Sequence, residues 1–350
     1  MAFDRDSRDD LEVIVANLHW RYSGVTATSR MVAPVIATML PACWFGSDAP
    51  QGIAKLTVAD LLRLWRRRAP IVWHARRNNE MIVGVVLRAL GWPLRVVFTS
   101  AAQRHHSWIT RALIARMDRV IATSAQSASY LKRSATVITH GVDTDRYAPP
   151  ADRAAAFAAA GLPGRYAIGC FGRVRAQKGT DLFVAAMCDL LPRYPDFTAV
   201  IVGQITPDQT SFAEGLRERI AAAGLQSRIV ITGELPIDDV VTWFKRLTIY
   251  AFTSRNEGFG LTLIEAMACG AALVATRAGA ADIVVRDGTG VLVPIADAAA
   301  LAAAIEPLMR DPDAAAAMGA RARARVTAAF SLEAEAEKIA AVYRKMLSPA

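Results

Sequence analysis

An α/β chain of two parallel-sheet domains is the fold class this sequence predicts, on three observations. Short apolar runs alternate with helical stretches along the whole length. Those runs fall into two successive series parted by a proline-rich break. The length, 350 residues, suits two compact domains at roughly 100–200 residues each.

The first series places strands at 12–16, 71–73, 95–99, 119–122 and 136–139. The second places them at 166–171, 198–202, 228–232, 249–252 and 272–275, with a short terminal strand at 291–293. Two series of this kind imply two Rossmann-like domains, each open to ligands at its strand C-termini. The break runs through His140-Gly141-Val142-Asp143-Thr144-Asp145-Arg146-Tyr147-Ala148-Pro149-Pro150, and an alanine-rich stretch follows. The expected domains are therefore 1–148 and 149–328. Residues 329–350 form an amphipathic helical tail, which on sequence alone could cap the second domain.

Bulk properties exclude several classes. Hydrophobic residues make up 53% of the chain and mean hydropathy is +0.25, yet much of that is alanine, and no run of about 18 apolar residues occurs. The best candidate, 81–90, is short and interrupted by Arg88. The start, Met1-Ala2-Phe3-Asp4-Arg5-Asp6, has the opposite character to a signal peptide. Cys43, Cys170, Cys188 and Cys269 are far apart and show no metal-ligand spacing. Reduced thiols and a cytoplasmic location are expected.

Charge is divided unevenly. The first 150 residues hold 20 basic and 11 acidic residues and the rest hold 21 of each, so the whole excess of +9 lies in the first half. Nucleic acid and an anionic membrane face are the partners such an excess can serve. Leu61-Leu62-Arg63-Leu64-Trp65-Arg66-Arg67-Arg68 joins apolar anchors, a tryptophan and four arginines. That mixture favours the membrane surface over nucleic acid; an amphipathic helix with a solvated basic face is the plainer reading.

The most informative segment is Ser254-Arg255-Asn256-Glu257-Gly258-Phe259-Gly260-Leu261, continuing through Glu265 to Gly270. An apolar strand precedes a Gly-Phe-Gly turn, which opens a helix that Gly270 should stop. Such a junction aims backbone N–H groups and a positive helix end at one spot, which suits phosphate. Carboxylates beside a phosphate would repel it, so Glu257 and Glu265 are assigned to neutral hydroxyls. Phosphate and hydroxyls together describe a sugar nucleotide. The segment resembles the two-glutamate signature of the retaining glycosyltransferases of family GT4, which have the GT-B fold.

That resemblance implies two Rossmann-like domains whose parallel sheets face a central cleft. It makes 1–148 the acceptor-binding domain and 149–328 the nucleotide-sugar-binding domain, with 329–350 crossing back to the first. Gly172-Arg173-Val174-Arg175-Ala176-Gln177-Lys178-Gly179 follows the first strand of the second domain. Arg173 and Lys178 offer a forked and a point-like cation to a departing diphosphate, and the family places both there. No Ser or Thr follows Lys178 in the frame a P-loop requires. In the first domain the resemblance puts the loop Arg21-Tyr22-Ser23-Gly24 on the diphosphate, with Gly24 its only glycine.

Trp73-His74-Ala75-Arg76-Arg77-Asn78-Asn79-Glu80 ends a strand, and the resemblance makes His74 a contact to donor sugar or acceptor. Arg76 and Arg77 would hold an anionic acceptor, and Glu80 would orient one of them or cap the next helix. Arg104-His105-His106 is read equally well as an acceptor loop or as solvated surface. Gly233 and Leu235 mark the expected nucleobase site. The catalytic set is thus Glu257, His74, Arg173 and Lys178. The donor set is Gly24, Arg173, Lys178, Gly233, Leu235, Glu257, Gly258, Phe259, Gly260, Leu261 and Glu265. Asp143-Thr144-Asp145 lies on a linker and is not assigned a metal; no metal or resident cofactor is expected.

The wording of 72–80 and of Phe98-Thr99-Ser100 looks like bacterial lipopolysaccharide core mannosyltransferases. The implied reaction moves mannose from GDP-mannose to an anionic inner-core glycolipid, at the cytoplasmic face of the inner membrane and without nucleic acid. A transferase using a UDP-sugar such as UDP-glucose shares every motif, and a sugar-nucleotide epimerase on the same fold would need no acceptor and no membrane. A non-catalytic nucleotide-binding membrane adaptor is the alternative of a different class.

Overall fold

The computed structural model describes residues 10–19, 24–286 and 288–348. The loop residues Arg21, Tyr22 and Ser23 lie outside that set. Two compact units are present: Met1–Gly141 with Ser331–Ala350, and Val142–Phe330.

In the first unit the chain runs β1 (Val13–Asn17), α1 (Gly24–Met39), β2 (Ala42–Gly46), β3 (Ala54–Leu56), α2 (Val58–Arg63), β4 (Ile71–Ala75), α3 (Asn78–Ala89), β5 (Leu94–Ser100), α4 (Trp108–Ala115), β6 (Arg119–Ala122), α5 (Ala125–Ser129) and β7 (Thr136–Val137). The strands form one parallel sheet in the order β3-β2-β1-β4-β5-β6-β7. Strand order reverses between β1 and β4, and in such sheets that is where ligands enter. β2 and β3 are absent from the sequence-based expectation. The run Ala-Cys-Trp-Phe-Gly is short, is not β-branched and follows Pro41, so burial beside β1 decides its conformation rather than propensity.

The central strands β1 and β4 are buried on both faces. One face packs Leu61, Met81, Ile114 and Met117, from α2, α3, α4 and the turn after α4, onto Ile14, Trp73 and Val96. A Cβ at Gly84 would stand 2.6 Å from the Trp73 ring, so only glycine lets α3 lie this close. The other face packs α1 and the last helix of the chain, α14 (Leu332–Leu347), onto Val13, Val15 and Val72. Glu335 ties α14 down: Oε1 lies 2.9 Å from His140 Nδ1 and Oε2 accepts the Gly141 N–H at 2.7 Å.

Between those parts the second unit runs α6 (Arg153–Ala158), β8 (Tyr166–Phe171), α7 (Thr180–Leu190), β9 (Phe197–Val202), α8 (Thr210–Ala222), β10 (Ile229–Gly233), α9 (Ile237–Arg246), β11 (Leu247–Phe252), α10 (Leu261–Ala268), β12 (Ala272–Thr276), α11 (Ala281–Val284), β13 (Val291–Val293), α12 (Ala298–Arg310) and α13 (Pro312–Ala329). Its sheet is parallel in the order β10-β9-β8-β11-β12-β13 and reverses between β8 and β11. Apolar clusters cover both of its faces. Three buried cysteines sit inside these cores, and burial pushes Cys43 and Cys269 up to about 12 and Cys170 to about 11. All four thiols are free.

Candidate functional site

The two loops at the switch point of the second sheet, after β8 and after β11, are sewn to each other. Thr253 Oγ1 donates to the Lys178 carbonyl at 2.8 Å, and the Arg255 N–H donates to the Gln177 carbonyl at 2.8 Å. Gln177 Nε2 donates to the Asn256 carbonyl at 3.1 Å. The Arg255 guanidinium holds Asp181, in the first turn of α7, through both carboxylate oxygens at 2.8 and 2.7 Å. Such a two-pronged pair fixes angle as well as distance. Sequence inspection overlooked this brace, although an acid three residues past Lys178 at a helix start was visible.

Gly179 makes the close approach possible. Its φ is +69°, and a Cβ there would stand 1.9 Å from the Thr253 carbonyl oxygen. Gly260, at φ +98°, turns the second loop into α10, whose first N–H groups carry no side-chain cap. Uncapped amides and the helix dipole leave an anion-seeking end. Gly270 follows α10 at φ +68°, as expected of a helix stop.

On this frame Lys178 Nζ forms an ion pair with Glu257 Oε2. Both side chains are half-buried, at 22% and 14% exposure, and the lysine stem passes 3.5 Å from where a Gly172 Cβ would be. Ser254 Oγ also reaches Glu257 Oε2, at 3.4 Å. Arg173 is exposed on the same loop and has no side-chain partner among the described residues. Phe259 is buried, and its carbonyl accepts the Ala280 N–H at 2.8 Å, which anchors the turn to the loop after β12.

Glu265, four residues into α10, receives a hydrogen bond from the Tyr147 hydroxyl. Burial outweighs that bond and the nearby Arg146 charge, raising the carboxyl from 4.5 to about 7. Tyr147 itself is buried and raised, first by desolvation and then by Glu265. It lies 118 positions away in sequence, and nothing in the passage after Gly141 signalled the contact. Asp143 uses Oδ1 to accept the N–H groups of Asp145 and Arg146 at 3.1 and 2.9 Å, a turn-closing role. Gly233 ends β10, with φ +78°, and Leu235 is partly buried against the core beside it.

Lys178, Glu257, Gly258, Phe259, Gly260 and Leu261 are thus on two loops joined by hydrogen bonds, with Glu265 on the helix they open. Gly24 starts α1 in the other unit, with nothing within 4 Å of its Cβ position.

His74 has a different setting. It is fully buried in β4, with Nε2 2.7 Å from Thr99 Oγ1 and Nδ1 paired with the Tyr343 hydroxyl of α14. Desolvation, then the Arg76 charge, holds its pKa well below 6.5. A neutral ring with both nitrogens engaged ties β4 to β5 and to α14. Arg76 and Arg77 also turn inward. Arg77 binds Asn17 Oδ1 at 2.9 Å, Thr26 Oγ1 at 2.6 Å and Glu80 Oε1 at 3.2 Å. Buried Glu80 accepts the N–H groups of Arg76 and Arg77 at 2.7 and 3.0 Å, so it does cap α3. Arg76 is 7% exposed, and its Nε has no partner.

Residues 152–325 match the family described as glycosyl transferases group 1. The chain is 49% identical over 344 residues to lipopolysaccharide core biosynthesis mannosyltransferase LpcC of Rhizobium leguminosarum bv. viciae, covering 97% of each. It is 43% identical to the mannosyltransferase LpsB of Rhizobium meliloti (strain 1021), covering 97% of this chain and 98% of that one. The structure of Anabaena HepE with UDP and glucose superposes with a TM-score of 0.80 at 20% identity, over 96% of this chain and 100% of that one. That likeness concerns the fold alone, which is GT-B, with parallel sheets of seven and six strands. With its sewn loops, paired glutamates and full-length relatives, the chain belongs to the group 1 glycosyltransferases, alongside the lipopolysaccharide core biosynthesis mannosyltransferases.

Proposed function

We propose that this glycosyltransferase moves mannose from GDP-mannose to an anionic lipopolysaccharide inner-core acceptor, with retention of configuration. The observation that carries the reading is the Lys178–Glu257 pair, set beside the uncapped start of α10. A diphosphate arriving at that helix end meets Lys178, the unpartnered Arg173 and the amides of 258–261. As the sugar bond breaks, negative charge builds on the phosphate, and these fixed positive groups stabilise it more than the ground state. Lys178 leaving Glu257 for the phosphate frees that carboxylate to accept sugar hydroxyls, while Glu265 accepts from the ribose. Gly233 and Leu235 border the base.

No carboxylate is assigned as a nucleophile, so the acceptor attacks from the leaving-group side and the departing phosphate oxygen takes its proton. His74 serves as a positioning residue: through Thr99 and Tyr343 it sets the end of β4 and the Arg76–Arg77 turn that follows. Mannose and a lipopolysaccharide core acceptor are favoured because two relatives matched over nearly their whole length are named lipopolysaccharide core biosynthesis mannosyltransferases. Among the described residues no helix is long and apolar enough to cross a membrane. In this reading the protein meets its lipid-linked acceptor from the cytoplasmic side as a peripheral protein.

The test is mass spectrometry of a deacylated inner-core acceptor after incubation with a panel of nucleotide sugars. A gain of one hexose from GDP-mannose, lost in Glu257→Gln, is expected. A gain from UDP-glucose instead reassigns the donor, and sugar conversion without acceptor points to an epimerase.

A further inference from the structure

The outer layer of α2, α3 and α4 in the first unit carries two kinds of surface together. Among the described residues eleven large hydrophobic side chains are exposed, and eight are in this layer: Val58, Leu62, Trp65, Ile82, Val86, Leu90, Trp108 and Ile109. Ile82, Val86 and Leu90 recur every fourth residue, so they form a stripe along α3. Val58, Leu62 and Trp65 follow the same helical period. Each helix already buries another apolar face against the sheet, so the outward stripes are additional to what folding needs.

These stripes belong to one continuous surface. Trp65 Nε1 donates to the Leu90 carbonyl at 3.1 Å and its ring lies 6.0 Å from that of Trp92. Asn78 Nδ2 donates to Thr110 Oγ1 at 2.9 Å, and Arg88 donates to the Arg116 carbonyl at 2.7 Å, so α3 and α4 are pinned side by side.

The charge on this layer has one sign. Residues 58–116 include eleven arginines, of which Arg63, Arg66, Arg68, Arg104, Arg111 and Arg116 are exposed while Arg76 and Arg77 turn inward, no lysine, and two acids, Asp60 and Glu80, both buried. The next acid, Asp118, is held by Arg88 at 2.8 Å. Among the described residues, exposed Arg66, Arg68, Arg104 and Arg111 have no side-chain partner. A protein interface of this size would bring its own matching acids or leave arginines desolvated. A bilayer with anionic headgroups accepts both features: apolar side chains and tryptophans enter the interface while arginines remain among the phosphates.

We propose that the α2–α3–α4 layer is the face on which this protein docks to an anionic lipid bilayer. The inference rests on the lipid-linked acceptor read above and names the surface that brings the enzyme to it. Apolar insertion and arginine contacts contribute separately, the second alone being screened by salt.

The test is co-sedimentation of the full chain with vesicles of phosphatidylcholine containing about 30% phosphatidylglycerol, without nucleotide or acceptor. Wild type should pellet with these vesicles, remain in solution with phosphatidylcholine alone, and release as salt rises. The variant Leu62→Ser/Val86→Ser/Trp108→Ser should lose at least ten-fold in partitioning while keeping its melting temperature and its turnover of deacylated acceptor. Replacing Arg66, Arg68 and Arg111 by Ala should weaken binding by about five-fold for each arginine and flatten the salt dependence. Wild type left in the supernatant overturns the proposal and leaves a protein partner as the occupant, and so does undiminished binding by the serine variant. Failure to turn over deacylated acceptor with vesicle binding intact counts against the transferase reading alone.

Discussion

Replacing Glu265 by Gln should stabilise the protein and impair it in the same stroke. The carboxyl is raised from 4.5 to about 7, mainly by burial. Below pH 4.5 it is protonated both folded and unfolded, and it is neutral for stability. As pH rises from 4.5 to about 7 the unfolded chain releases the proton while the folded chain retains it, so stability falls. Above about 7 both are ionised and the loss is complete, about 3 kcal/mol at 1.36 kcal/mol per pH unit. Glutamine keeps an oxygen for the Tyr147 hydroxyl and carries no charge, so it avoids that loss. For a unit of this size the gain corresponds to roughly 6–12 °C in melting temperature at pH 8, vanishing near pH 4.5.

Function should move the opposite way. Ribose hydroxyls donate to a carboxylate, so nucleotide binding favours the ionised form and releases a proton wherever free Glu265 is protonated. Wild-type nucleotide affinity should then fall about ten-fold per pH unit below 7, and Glu265→Gln should bind weakly and without that slope. Calorimetric titration of GDP from pH 5.5 to 8, alongside thermal melts over the same range, measures both. A flat wild-type affinity profile, or a Gln variant no more stable than wild type at pH 8, would refute the reasoning.

Other expectations concern the frame and the cations. Lys178→Ala should lower kcat/KM by about 10²–10³; an unaltered rate removes it from the site. Gly179→Ala places a Cβ 1.9 Å from the Thr253 carbonyl oxygen and adds left-handed strain of about 1–2 kcal/mol; a melting temperature equal to wild type contradicts the tight joint between the two loops. Asp181→Asn removes the charge that holds Arg255 and should raise KM for the donor several-fold, which initial-rate kinetics will report. Tyr343→Phe deprives His74 of its α14 partner; about 1 kcal/mol of stability should go with kcat almost retained, whereas a collapse of kcat alone would give the imidazole a direct chemical role.

Much of this was legible from residues alone, for identifiable reasons. The strands 119–122, 166–171 and 291–293 were read with their observed bounds, since each is a short apolar run with turn signals on both sides. The turn into α10 is readable because Gly260 and Gly270 supply the positive φ that other residues rarely adopt. Direction was harder. Arg76 and Arg77 read as side chains that hold an anionic acceptor, yet buried Glu80 and the oxygens of Asn17 and Thr26 draw Arg77 inward. The Tyr147–Glu265 and Asp181–Arg255 contacts join residues far apart in the chain, and side-chain identity alone does not announce such partners. β2 escaped notice because its neighbours in the sheet, rather than its own propensity, hold it.

The most direct measurement is the anomeric proton spectrum of the product formed from GDP-mannose and a deacylated inner-core acceptor, followed in real time. One new α-linked mannosyl signal should grow as GDP accumulates, and be absent with Glu257→Gln. A β-linked product, or an inert GDP-mannose beside a consumed UDP-sugar, would contradict the proposed transfer.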